Sequence, residues 1–341
     1  TLNRGTSTNP IDPPLRGPNL PNAKIWDIVQ NPENANQLYV AVGEDESSLL
    51  ETEAGIYRSD NGGATWVEVD DFAGNDEIRG LIQEAANVKL AITADPGQTS
   101  GHRVFLGIVD ATGTTLSYLG WYDPDADTGL ADGDADDGWT RMSDIETPTG
   151  DLTFTRGRGD IYFSFAADPI NPSIVYVGTD VSTPIAPRYN TPNVPNDFRA
   201  ADYTGRLFRG NASIDPAGPA QQWVQITNSN VLTNGARWTN PANPGGTFSN
   251  SAPHSGSRNL TFDADGNLIE VDDGGIYRRT LPTRNSGNWI SLNGDMQATQ
   301  FLDIAYDSNS NIILGGALNT GTTQQTSTGS EIWKQIGRAH V

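Results

Sequence analysis

The stretch Gly55-Ile56-Tyr57-Arg58-Ser59-Asp60-Asn61-Gly62-Gly63-Ala64-Thr65-Trp66 decides how the chain is read. Two short apolar strands, Gly55–Arg58 and Trp66–Val69, flank a small, polar, glycine-rich turn. Asn61 sits where its side chain can accept a backbone hydrogen bond and close that turn. The same opening returns downstream, since Gly205-Arg206-Leu207-Phe208-Arg209 and Gly275-Ile276-Tyr277-Arg278 are near copies of Gly55-Ile56-Tyr57-Arg58. Trp139, Trp223, Trp289 and Trp333 likewise each follow a polar turn and begin a short strand. A self-similar pattern of this kind marks one supersecondary unit used repeatedly.

Taking each of these tryptophans as the start of a fourth strand divides the chain into units of four strands over residues 24–70, 88–142, 160–227, 257–292 and 300–335. An extended N-terminal segment covers residues 1–23. One four-stranded sheet cannot bury both of its faces, so neighbouring units must stack. The expected fold is therefore all-β, a β-propeller of four-stranded blades with about five blades present and the ring incomplete. A β-sandwich or a solenoid with scattered tryptophans is the alternative. A tryptophan at each junction removes roughly 200 Å² from water, an upper limit of about 5 kcal/mol by area.

The Gly55–Trp66 stretch resembles the Asp-box, or bacterial neuraminidase repeat, Ser-x-Asp-x-Gly-x-Thr-Trp. Ser59, Gly63, Thr65 and Trp66 match it, and Asn61 stands where the family has Asp. In that family the motif closes the hairpin between the third and fourth strands of a propeller blade, away from the ligand face, and its role is structural. A second resemblance lies in Pro253-His254-Ser255-Gly256-Ser257-Arg258, Phe262-Asp263 and Asp272-Asp273-Gly274-Gly275-Ile276-Tyr277-Arg278. It is similar to the His-x-Asp segment and Asp-Gly-Gly of xyloglucanase-type glycoside hydrolases and sortilin-like propellers. His254 and Asp273 match, whereas Gly256 replaces the acidic residue. The Arg-Ile-Pro start of sialidases is absent, and nothing marks Arg156, Arg158 and Arg258 as their arginine triad.

Composition narrows the partners. With 42 acidic against 21 basic residues, a formal charge of -21 disfavours nucleic acid and anionic membrane surfaces. The chain has no cysteine, so thiolate metal sites and disulfides are excluded, and three histidines make a histidine-rich zinc site a poor expectation. No apolar run approaches the ~18 residues of a membrane helix. Thr1 opens a polar, proline-rich segment, and Ile336–Val341 looks like a translated sequencing adapter. The chain is accordingly expected to be a fragment, and the Asp-box resemblance implies that it comes from a larger bacterial surface or secreted protein with other domains in the same chain.

In a propeller the loops after the second and fourth strands share one face, where a ligand is expected. Asp180, Asp272 and Asp273 fall there and are the candidate catalytic carboxylates. Glu44-Asp45-Glu46 and the long loops 181–204 and 228–257 share that face. Trp238 and Arg237, in the second long loop, with His254 and Arg258, are the candidate ligand-binding residues for a carbohydrate or an extracellular protein. Glycoside hydrolysis would require two carboxylates ~5 Å or ~6.5–9.5 Å apart, a distance the sequence does not give. On the opposite face, Asp123, Asp125, Asp127, Asp132, Asp134 and Asp136 alternate along one turn, as in oxygen-rich calcium loops. Calcium there is expected to staple a loop, the alternative being a solvated acidic loop.

Overall fold

In a computed structural model, the structure describes residues 20–21, 23–43, 54–70, 77–125, 138–145, 154, 157–180, 205–227, 252–294, 301–317 and 321–337. The described strands form five four-stranded antiparallel sheets, each a meander of consecutive strands. Sheet one comprises β1 (Ile25–Asn31), β2 (Asn34–Val42), β3 (Gly55–Ser59) and β4 (Val67–Glu68). Sheet two holds β5 (Asn87–Ala94), β6 (His102–Val109), β7 (Leu116–Tyr122) and β8 (Trp139–Arg141), and sheet three β9 (Ser164–Ala167), β10 (Ile174–Gly178), β11 (Leu207–Asn211) and β12 (Trp223–Gln225). Sheet four runs through β13 (Asn259–Phe262), β14 (Leu268–Asp272), β15 (Gly275–Arg279) and β16 (Trp289–Ser291). Sheet five follows with β17 (Phe301–Asp307), β18 (Ile312–Ala317), β19 (Gly321–Gln325) and β20 (Trp333–Gly337). This is the blade architecture of a β-propeller.

Alternation along the strands explains the stacking, because successive side chains point to opposite faces. Tyr39 and Ala41 of β2 join Ile56 in packing on Val88, Val104 and Leu106 of sheet two. Phe105 and Leu119 face the other way, onto Phe163, Phe165 and Val177. Ile174, Tyr176 and Leu207 then meet Leu260, Leu268 and Trp289 of sheet four. No apolar cluster among the described residues links sheet five to another sheet, and Leu302, Ile304 and Tyr306 of β17 are exposed.

The tryptophans add a bond that the sequence pattern did not announce. Trp139 Nε1 donates to the Val69 carbonyl at 2.8 Å, Trp223 Nε1 to Ser143 at 2.7 Å and Trp289 Nε1 to Ile226 at 2.8 Å. Each acceptor lies just past the fourth strand of the preceding sheet, so one side chain fills the junction and satisfies its own donor there. Trp66 instead donates to Gly63 within its own turn, at 3.1 Å.

That turn is closed by its side chains. Ser59 Oγ accepts from Gly63 N at 2.8 Å, and Asn61 Oδ1 accepts from Thr65 N at 2.8 Å while its Nδ2 donates to Thr65 Oγ1 at 2.7 Å. Asn therefore supplies the carboxylate-like acceptor and a donor besides. Gly62 and Gly63 both take positive φ, 71° and 89°, which the turn needs. Between β4 and β5 stands a short helix, α1 (Glu77–Gln83), that the strand pattern did not foretell. Its Ile78 and Ile82, four residues apart, insert into the cluster between sheets one and two.

Candidate functional site

Five of the singled-out residues, Asp180, His254, Arg258, Asp272 and Asp273, come together where sheets three and four meet. The segment Pro253–Arg258 carries two of them and is stitched to both sheets by backbone bonds. Gly256 N donates to the Asp180 carbonyl at 2.7 Å and Ser257 N to Thr179 at 3.0 Å, while Arg258 N donates to Val271 of β14 at 2.8 Å. Asp272 ends β14 and Asp273 begins the tight turn into β15, so chain geometry alone sets them beside this segment.

Asp273 is the hub. Its Oδ1 accepts from Arg258 Nε at 2.9 Å and Nη2 at 2.8 Å, and its Oδ2 accepts from the Tyr162 hydroxyl at 2.7 Å. The Arg258 guanidinium also lies 4.7 Å from the centre of the Tyr162 ring, with that of Arg158 5.1 Å away. A cation over an aromatic face adds attraction beyond the ion pair. Burial, and then the hydrogen bond to Asp273, push the Tyr162 phenol above its usual range. Tyr162 was missed in the sequence because it precedes β9, a full sheet away along the chain.

Gly256 explains itself in this setting. Its φ is 88°, and a Cβ there would lie 2.8 Å from Asp273 Oδ2 and 3.0 Å from Tyr162 Cε1. The acidic residue that the resemblance places here has no room beside this Arg–Asp–Tyr arrangement. His254 is exposed, and its Nδ1 donates to the Ser255 carbonyl at 2.9 Å, which leaves the proton on Nδ1 and a lone pair on Nε2 when the ring is neutral.

Asp272 behaves differently from Asp273. It is 7% exposed, and its Oδ1 accepts from Gly274 N at 2.7 Å. Burial raises its pKa to about 6. Two residues earlier on the same strand face, Glu270 is fully buried and pushed well above the usual carboxylate range by burial and by Asp272. Alternation in Leu268-Ile269-Glu270-Val271-Asp272 puts Glu270 on the Leu268 face, the signal that could have found it.

Most of the remaining sequence candidates are not among the described residues. Trp238, Arg237, Asp127, Asp132, Asp134 and Asp136 lie outside the described residues. Asp123 Oδ1 accepts from Asp125 N at 2.9 Å, and Asp125 in turn accepts from Thr99 N at 2.5 Å and Ser100 N at 2.8 Å. These two carboxylates thus hold neighbouring turns together. No group of three or more His, Asp or Glu side chains suited to a metal occurs among the described residues. No helix among them is long and apolar enough to cross a membrane.

No protein-family model and no curated protein matches the sequence. Among solved structures, the chain is similar to the GH74 xyloglucanase from Xanthomonas campestris, with a TM-score of 0.43 and 16% identity over 87% of this chain and 34% of that one. It is similar to the Niastella koreensis GH74 enzyme at TM-score 0.43 and 14% identity, over 90% and 36% of the two chains. PorZ, a bacterial surface component of the type-IX secretion system of Porphyromonas gingivalis, gives TM-score 0.37 and 13% identity over 91% and 33%. The chain spans about a third of the length of each of these structures. No activity passes from these structures to this chain.

Proposed function

We propose that the chain binds a carbohydrate or an extracellular protein on the loop face where sheets three and four meet, as a module of a larger bacterial surface or secreted protein. The observation that carries this reading is the state of the Asp273 carboxylate, whose two oxygens are held by Arg258 and Tyr162. A carboxylate so engaged builds a surface rather than attacking a bond. That surface offers guanidinium and imidazole groups beside an aromatic ring, a combination that meets sugar hydroxyls or polar peptide groups. Trp238 and Arg237 are proposed to extend it. Calcium is proposed at Asp123–Asp136, where it would offset the mutual repulsion of the carboxylates and fix the loop.

A second reading, a glycoside hydrolase of sialidase or xyloglucanase type, is favoured by one observation. Asp272, with its pKa raised to about 6, would keep a proton to give to a leaving group at mildly acidic pH. Asp180 or Asp273 would then be the second carboxylate. The test is to incubate the protein with sialylated and β-glucan oligosaccharides in the presence of calcium, measuring both retention and released sugar. Retention that falls in Arg258→Ala, with no release, supports binding. Release abolished by Asp272→Asn and by Asp180→Asn makes the chain a hydrolase and overturns it.

A further inference from the structure

The ladder identifies one position that sheet four fills unlike the others. Two residues beyond each fourth-strand tryptophan lie Glu68, Arg141, Gln225 and Ser291 in the first four sheets. They pair across the ladder with Tyr57, Gly120, Phe208 and Tyr277. Those in turn pair with Val40, Leu106, Val177 and Glu270 on the second strands. All four of the latter are buried, at 1%, 0%, 0% and 0% exposure. A carboxyl group therefore occupies a place that three sheets give to an aliphatic side chain. By hydrogen-bond geometry neither Glu270 oxygen meets a partner, nor does Asp272 Oδ2 on the same strand face, and the Ser257 hydroxyl beside Glu270 favours its ionised form too little to offset burial. Two adjacent buried carboxylates left ionised and unpaired would carry a cost of several kcal/mol per ion.

The surroundings decide how that cost is avoided. Sheet three presents the Ser164 hydroxyl, bonded to Ser257 Oγ at 2.7 Å, and Gly178, where a Cβ would lie 2.2 Å from Ser164 Oγ. Around the pair stand Asp273 and Tyr277 from sheet four and His254 from the segment before it. The buried charged residues Asp180 and Arg206 flank Thr179 on sheet three. Asp273 opposes ionisation of Glu270, and His254 favours it at Asp272.

We propose that Glu270 and Asp272 share one proton, and that this proton keeps the seam between sheets three and four closed. One carboxyl hydroxyl then donates to the neighbouring carboxylate, which links Glu270 to Asp272 and leaves the pair with a single negative charge. Burial raises both groups in the folded chain. A raised carboxyl pKa contributes stability that is complete below the unfolded value of about 4 and is lost as pH rises through the folded value: the pair gives up its first proton at about 6, where Asp272 is placed, and the shared one at higher pH. The seam thus loosens toward alkaline pH, the reverse of an ordinary salt-bridged carboxylate.

The experiment is hydrogen–deuterium exchange of the whole chain at about pH 5 and about pH 8, corrected for intrinsic exchange. Peptides covering 162–180 and 256–274 are expected to lose protection at least ~10-fold at the higher pH, while peptides of sheets one and two hold theirs. Glu270→Gln, which keeps the shape and supplies a permanent donor, is expected to flatten that dependence. Protection independent of pH, or an unchanged dependence in Glu270→Gln, overturns the proposal. So does a stoichiometric bound cation in the wild type that Glu270→Gln loses. Should Glu270→Gln not fold, infrared spectra of the wild type and Asp272→Asn decide. A protonated-carboxyl band at neutral pH, lost or shifted in the variant, supports the shared proton, and identical spectra sink it.

Discussion

The seam between sheets one and two and the seam between sheets three and four are built on the same plan but packed with different chemistry. In the first, Tyr39, Ala41 and Ile56 meet Val88, Val104 and Leu106, and its buried polar bond, Tyr39 hydroxyl to His102 Nε2 at 2.7 Å, is paired. His102 Nδ1 donates to the Ser100 carbonyl at 2.9 Å, so both ring nitrogens are used, and burial lowers the imidazole pKa. In the other, Leu260, Leu268 and Trp289 do the apolar packing, while Glu270 and Asp272 bring carboxyl groups into the same layer. The indole-to-carbonyl bond is common to both, at 2.8 Å in each. A repeat that keeps its backbone staple can therefore give up an aliphatic contact at one position and place chemistry there.

The sharpest way to break this comparison is to remove the staple. Trp289→Ala is expected to cost about 3–5 kcal/mol, from the lost indole and the cavity it leaves, read as a lower denaturant midpoint. If the staple matters as argued, Trp139→Ala falls in the same range despite its different seam. Glu270→Leu converts the polar layer to the pattern of Leu106 and is expected to stabilise the chain at neutral pH by about 1–3 kcal/mol. A loss of stability there would mean the carboxyl is held by contacts that geometry does not reveal. Gly256→Ala strains a positive φ and crowds Asp273, so a loss of more than about 1 kcal/mol is expected in thermal melts. Arg258→Ala removes an ion pair whose arginine side chain is 42% exposed, so solvent screening limits the loss to roughly 0.2–1 kcal/mol by urea unfolding.

Much of the fold was legible because propeller units announce themselves locally. The Gly-x-Tyr-Arg openings and the recurrent tryptophans lie within one hairpin each, and the five four-stranded sheets follow them. Helix α1 was not legible, since seven residues are too few to display a period. Only Asn75-Asp76 before Glu77, with Ile78 and Ile82 four apart, hints at it. The candidate site was legible on one side of the seam. His254, Arg258, Asp272 and Asp273 are close in sequence, whereas Tyr162 reaches Asp273 from a preceding sheet and no local pattern could foretell that bond. Glu270 hid behind expectation, as a glutamate in a short strand is ordinarily assigned to solvent.

One consequence of the tryptophan bonds concerns biosynthesis. In Trp139 to Val69, Trp223 to Ser143 and Trp289 to Ile226, the donor always comes later in the chain than its acceptor. A polypeptide leaving the ribosome amino-end first never waits for a distant residue to seal a junction, because the carbonyl it needs has already emerged. If docking follows translation, each finished sheet would present the acceptor that the next one needs. Ribosome-arrested chains in which residue 145, 227 or 294 is followed by a flexible linker long enough to clear the exit tunnel should gain protease resistance one sheet at a time, and resistance appearing only at the last length would refute a vectorial assembly.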